Sequence, residues 1–215
     1  MAISSSSRGL RPGVCTSTTR PSNPYDGMVI YETDTDKVAV YDVNAWVYKT
    51  NATAPALVLV KTQTIGTAVS SVTVSDAFSA TYDNYKIIVS GGASSVVNTL
   101  QLQLGSTTTG YYSGLSRVIF SSSTQASAAD NNAANFARAG GANASGIMMN
   151  SELLGPNLAK NTYISGAYID PQTSQTAGNW SGFLNDTTAY TAFTIIASNG
   201  TFTGGTIRVY GYLNT

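Results

Sequence analysis

Val97-Asn98-Thr99-Leu100-Gln101-Leu102-Gln103-Leu104 decides the fold. Three leucines fall on alternate positions with glutamines between them, the two-residue period of a pleated strand with one apolar face and one polar face. A helix does not accommodate this pattern, because at about 3.6 residues per turn Leu100 and Leu102 would point to opposite sides.

The same reading extends outward. Near the C-terminus Ile207, Val209 and Leu213 share one face while Arg208, Tyr210 and Tyr212 share the other. Further apolar or alternating segments lie at 57–63, 69–74, 85–90, 117–120, 147–154, 163–169, 180–184 and 191–197. Turn residues separate them, among them Asp83-Asn84, Gly91-Gly92, Gly110, Asn199-Gly200 and Gly204-Gly205. Many short strands with no helical period predict a β-sandwich of jelly-roll type, or a barrel, over residues 57–215. Residues 121–146, almost entirely Ser, Ala, Asn and Gly, interrupt the pattern and read as a long loop, either touching a partner at the sandwich rim or flexible.

Upstream, residues 25–50 predict a small β-meander. Met28, Ile30 and Glu32 alternate with Val29, Tyr31 and Thr33; Val38 and Val40 alternate with Ala39 and Tyr41; Trp46 and Tyr48 close the pattern. Asp34-Thr-Asp36-Lys37 and Asp42-Val-Asn44-Ala45 supply turns through side chains that bond their own backbone. Three strands of this length bury too little to stand alone, so other copies or the rest of the chain must complete the core. Ile30, Tyr31, Val40, Tyr41 and Trp46 are therefore candidates for an oligomer contact. Residues 51–56 read as a linker. Residues 1–24, with Pro12, Pro21 and Pro24, read as an extended arm that lies along a neighbouring subunit, and Arg8, Arg11 and Arg20 are its anchoring candidates.

Composition agrees with an all-β chain. Charged residues make up 10%, against about 25% in an ordinary soluble domain, and 26 Ser, 28 Thr and only 12 Leu favour pleated surfaces over helices. The 11 basic and 11 acidic residues cancel and form no basic cluster, which argues against a nucleic-acid partner and against a basic membrane-surface helix. The strongest apolar run, 57–60, is far too short to span a bilayer. No secretory pattern opens the chain, so synthesis in a host cytoplasm is the expectation. Cys15 is the single cysteine and reads as a spare thiol.

Catalytic chemistry is poorly supplied. The chain has no histidine, which removes histidine-based acid–base catalysis, the Ser-His-Asp triad and histidine zinc sites. A carboxylate pair of glycosidase type would have to come from residues such as Asp130, Glu152, Asp170 and Asp186, which no spacing pairs. Glu32, Asp34 and Asp36 alternate as oxygen ligands for calcium could, yet they equally suit a solvated turn. No catalytic residue, metal site or cofactor is assigned. For surface contact, Tyr111, Tyr112, Phe136 and Arg138 are the candidates, and Tyr111, Tyr112, Tyr210 and Tyr212 could form a platform on which sugars stack.

The run from Arg20-Pro-Ser-Asn-Pro-Tyr-Asp-Gly-Met-Val-Ile-Tyr-Glu-Thr-Asp-Thr through Val40-Tyr-Asp to Trp46 resembles a β-structured module of tailed-phage minor tail, tail-fibre and head-decoration proteins. It departs at Val43-Asn44, where a glycine commonly follows the aspartate, and a wider turn is the expectation there. The segments 72–85 and 205–213 resemble the C-terminal sandwich of similar phage surface proteins. The resemblance implies a virion protein on the particle surface, homotrimeric and non-enzymatic. It would be a tail or baseplate fibre subunit contacting the host surface, with a host glycan as a further candidate partner. The alternative is a capsid decoration or head-fibre protein anchored to the major capsid protein by its N-terminal arm.

Overall fold

In a computed structural model, residues 12–49, 56–170 and 175–214 are described, and no helix occurs among them. The chain divides into an N-terminal unit, Met1–Ala54, and a C-terminal unit, Pro55–Thr215.

The N-terminal unit is one four-stranded sheet of β1 (Gly13–Cys15), β2 (Val29–Glu32), β3 (Lys37–Asp42) and β4 (Ala45–Tyr48), in that spatial order. The meander β2-β3-β4 is antiparallel. β1, drawn from the predicted arm, instead pairs in parallel with β2. Parallel neighbours need a connection that crosses a sheet face, and residues 16–28 supply it. Ile30 and Ala39 are buried beneath.

The β3–β4 turn corrects the wider-turn expectation. Asp42 pairs with Ala45, so the loop is only Val43 and Asn44. Both adopt left-handed backbone, at φ 41° and 69°, the pairing of positive angles that a tight twisted hairpin demands. The chain keeps the short turn and forces a β-branched residue into it.

The C-terminal unit is a β-sandwich. Its strands are β5 (Leu57–Thr64), β6 (Ser71–Val74), β7 (Asn84–Gly91), β8 (Ala93–Ser94), β9 (Asn98–Leu104), β10 (Tyr111–Ile119) and β11 (Thr124–Ala133). The chain continues through β12 (Phe136–Asn143), β13 (Gly146–Leu154), β14 (Thr162–Asp170), β15 (Thr176–Leu184), β16 (Phe193–Ala197), β17 (Phe202–Thr203) and β18 (Thr206–Tyr212). Twelve of these join one sheet, and β8 pairs separately with β17. The large sheet forks at β13. On one side β13 pairs with β7, which leads to β18 and β5. On the other, its first half pairs with β12 and its second half with β14. One arm then runs β14-β15-β10-β11 and the other β12-β9-β16-β6, giving two layers that share β13.

The core lies between the layers. Leu100, Leu102 and Leu104 of β9 are fully buried, as the alternation that fixed the fold requires. Phe136 stands edge-on to Tyr111 at 4.8 Å and reaches Trp180 at 5.9 Å, tying β12 to β10 and β15. Phe78 does the same between Tyr85 of β7 and Phe193 of β16.

Residues 121–146 differ from expectation, since they form β11 and β12. Their smallness is a packing requirement. Ala139-Gly140-Gly141-Ala142 is buried throughout, and a Cβ on Gly140 would lie 2.2 Å from the Met148 carbonyl. Only small residues let β12 press against β13 where the layers part. β11 is an edge strand whose half-buried Ala126, Ala128 and Asp130 alternate with exposed Gln125, Ser127 and Ala129.

Candidate functional site

The two faces of the N-terminal sheet differ sharply. On the covered face Glu32 is fully buried. Arg20 Nε donates to one carboxylate oxygen at 2.5 Å; Tyr48 and Thr35 hydroxyls donate to the other at 3.0 and 2.9 Å. Arg20 also donates to the Tyr48 hydroxyl at 2.8 Å. The Arg20 hydrogen bond, with help from Thr35 and Tyr48, holds the Glu32 carboxyl below its ordinary range against the opposing effect of burial. Arg20 is thus an internal strut of its own unit, because the crossover brings it over β2 and β4. Asp34 accepts from the Ser17 amide and hydroxyl, which lowers its pKa, and Asp36 accepts from the Tyr31 hydroxyl. The three alternating carboxylates are therefore engaged separately, and no group of three or more acidic, histidine or cysteine side chains that could hold a metal occurs among the described residues.

The opposite face is apolar and open. Val29, Val40 and Val47 face one another in a row across β2, β3 and β4. Tyr31 and Val38 form the next row, with Val14 of β1 beside Tyr31. Val14 is 70% exposed, and Val29, Val38 and Val47 are each about 40% exposed. Of the oligomer candidates, Tyr31 and Val40 lie on this face. Ile30 is interior, and Tyr41 and Trp46 pair edge-on at 5.3 Å on the covered face. Arg8 and Arg11 lie outside the described residues.

A second candidate surface is the outer face of the C-terminal sheet. Tyr112, Phe183, Tyr163 and Leu154 occupy one cross-strand row over β10, β15, β14 and β13. The Tyr112 and Phe183 rings stack at 5.0 Å and 11°. Since neighbouring strands lie about 4.8 Å apart, rings stacked at that spacing face one another along the row and stand up as a wall. Tyr163 continues it, 6.3 Å from Phe183 and 53% exposed.

Beside the wall the next row is low: Gly114, Ser181, Ser165 and Glu152. Beyond it run Ser116, Asn179, Ala167 and Asn150. The result is a groove of about 420 Å³ lined by Asn150, Glu152, Ser165, Asn179 and Ser181, with Lys86 at its β7 end. Past Ser181 a pocket of about 280 Å³ continues it along Tyr112, Gly114 and Phe183. Glu152 accepts from Tyr212 at 2.7 Å and pairs with Lys86 at 3.4 Å. These partners hold its carboxyl below the ordinary range, while burial and the neighbouring carboxylate push the Tyr212 hydroxyl up to about 12.

The surface-contact candidates separate accordingly. Tyr112 lies on the groove. Tyr111 and Phe136 are fully buried, because Tyr111 points to the opposite side of β10 from Tyr112 and Phe136 belongs to the inserted strand β12. Arg138 is partly buried and pairs with Asp130 at 3.3 Å. Tyr212 serves Glu152 and Tyr210 stands half-buried on the same face. Phe183, Tyr163, Ser165, Ser181, Asn150 and Asn179 carried no separate signal, since strand register alone gathers them. Comparison with protein-family models, curated proteins and solved structures finds no match in any of the three.

Proposed function

We propose that this chain is a non-enzymatic structural subunit of a tailed-phage particle, a tail or baseplate fibre protein. In this reading it assembles as a homotrimer through its N-terminal unit and presents the sandwich to the host surface. The observation that carries the reading is the open valine face. One side of the small sheet is filled by Ile30, Ala39 and the Arg20–Glu32 pair, whereas Val14, Val29, Val38 and Val47 are left in water. Taking a fully exposed valine to full burial contributes about 1.5–3 kcal/mol, of which roughly 1 kcal/mol is still to be gained by each of these partly exposed side chains, so several valines on each copy together favour association over the isolated chain. The resemblance of residues 20–46 to phage surface modules supports the setting. Against catalysis, Glu152, Asp186 and Asp130 are each committed to neighbouring donors.

Mass measurement of the purified chain at low micromolar concentration tests the assembly. A trimer that Val29→Asp together with Val47→Asp reduces to monomer is the expected result, and a wild-type monomer overturns it. Antibody labelling of particles should mark tails; labelling over the whole head would replace the tail assignment with capsid decoration. Release of reducing ends from host polysaccharide would overturn the non-enzymatic reading.

A further inference from the structure

We propose that the groove on the outer face of β13, β14, β15 and β10 binds a neutral glycan chain. The inference rests on the reading of the sandwich as the part that meets the host surface, and it names the ligand class and the residues.

The floor contributes Ser165, Ser181, Asn150 and Asn179, hydroxyls and amides that both donate and accept. None of them makes a side-chain hydrogen bond to another described residue. Vicinal sugar hydroxyls need such two-way partners. The wall of Tyr112, Phe183 and Tyr163 supplies an apolar flank with hydroxyl tips, suited to a ligand that is apolar on its C–H side and polar at its rim.

Charge selects within the sugars. Lys86 is neutralised by Glu152, and Asp130 at the far pocket by Arg138. With no unpaired cation in the groove, an anionic glycan or nucleic acid gains nothing there. An extended peptide is disfavoured on separate grounds. β13, β14, β15 and β10 each have lateral partners on both sides, so none offers the free edge that strand addition uses. From Gly114 to Glu152 the floor crosses three strand spacings, roughly 14 Å at about 4.8 Å each, which accommodates a short run of sugar rings.

Retardation of the full chain in gels containing neutral polysaccharides tests the proposal. The panel should cover hexose, deoxyhexose and N-acetylhexosamine polymers, with alginate and hyaluronan as anionic controls. At least one neutral polymer should retard the wild type, and Tyr163→Ala and Ser181→Arg should each weaken retention at least ten-fold. Tyr163 and Ser181 are exposed, so both variants should keep the wild-type mass and unfolding midpoint. No retention by any neutral polymer, retention by the anionic ones alone, or retention that survives both substitutions overturns the site. The mass readout stands apart: a trimer that binds no glycan sinks the groove and leaves the assembly reading, whereas a wild-type monomer sinks the assembly reading whatever the gel shows.

Discussion

Val43 stores backbone strain that substitution should release. It is the first residue of a two-residue loop, at φ 41° with Asn44 at 69°, and its side chain is 77% exposed, so packing returns little. Left-handed backbone costs an L-residue about 1–2 kcal/mol because Cβ crowds the following carbonyl. Glycine removes that cost but adds about 0.5–1 kcal/mol of chain entropy to the unfolded state. Val43→Gly should therefore stabilise the hairpin by about 0.5–1 kcal/mol. Val43→Asn, which tolerates this region and keeps a side chain, should gain about 1 kcal/mol. Val43→Ala retains Cβ and should stay within about 0.5 kcal/mol of the parent. Amide hydrogen exchange on the full chain reads this locally, through the Tyr41 and Lys49 amides bonded across the unit to Met28 and Val38 carbonyls at 2.9 and 3.0 Å. A gain of 1 kcal/mol slows exchange roughly five-fold, while the Leu104 amide in the other unit serves as the unaffected reference. Equal protection in all four proteins, or Ala matching Asn, would refute the strain argument.

Other consequences follow from the same geometry. Glu32 and Asp34 titrate below their ordinary range in the folded unit; the stability they contribute is complete above that range and is lost as pH falls through the lowered native values. Exchange protection in residues 29–48 should thus collapse on acidification, and a Glu32→Gln variant should lose much of that pH dependence; protection unchanged down to pH 2 would contradict it. In the sandwich, Gly178→Ala should cost about 1–3 kcal/mol or more in urea unfolding, because its Cβ would sit 2.0 Å from the Ser116 carbonyl. Gly114→Ala meets nothing within 4 Å and should stay within about 0.5 kcal/mol of the parent. Tyr111→Phe removes the buried hydroxyl that accepts the Leu104 N–H at 2.8 Å, for about 1–3 kcal/mol, and an unchanged midpoint would show that the amide finds another partner.

The sequence made the architecture legible wherever apolar side chains alternate, and obscured it where side chains are too small to alternate visibly. β9 announces itself through Leu100, Leu102 and Leu104. β12 does not, because a strand wedged at the fork must give up the bulky residues that would mark it. β11 carried a fainter trace in Ala126 and Ala128, two alanines at period two in a run read only for its polarity. β1 is three residues long and recognisable only once β2 is there to pair with it. In the N-terminal turn, Val43 masked a hairpin that glycine would have signalled; local propensity lost to the register of Asp42 and Ala45 and the rows of side chains on either side.

The candidate groove shows where periodicity could have carried further. Adjacent residues of a strand point to opposite faces, so Tyr111 and Tyr112 could never both reach a surface. Parity alone required one of them to join the core, and the companions of Tyr111, namely Leu115 and Leu104, lie on the buried side. What parity could not supply is the company of Tyr112. Phe183 stands 71 positions away and Tyr163 a further strand over, joined by two antiparallel registers that bring residues 112, 183 and 163 level. Slipping either register by one residue would turn the ring on that strand into the core and lift a sequence neighbour into its place, Tyr111 or Ser113 on β10 and Thr162 or Ile164 on β14. The wall therefore exists only because the inner rows of β10, β15 and β14, with Leu115, Trp180 and Ile164 among them, hold those registers: the surface site is specified by the packing beneath it.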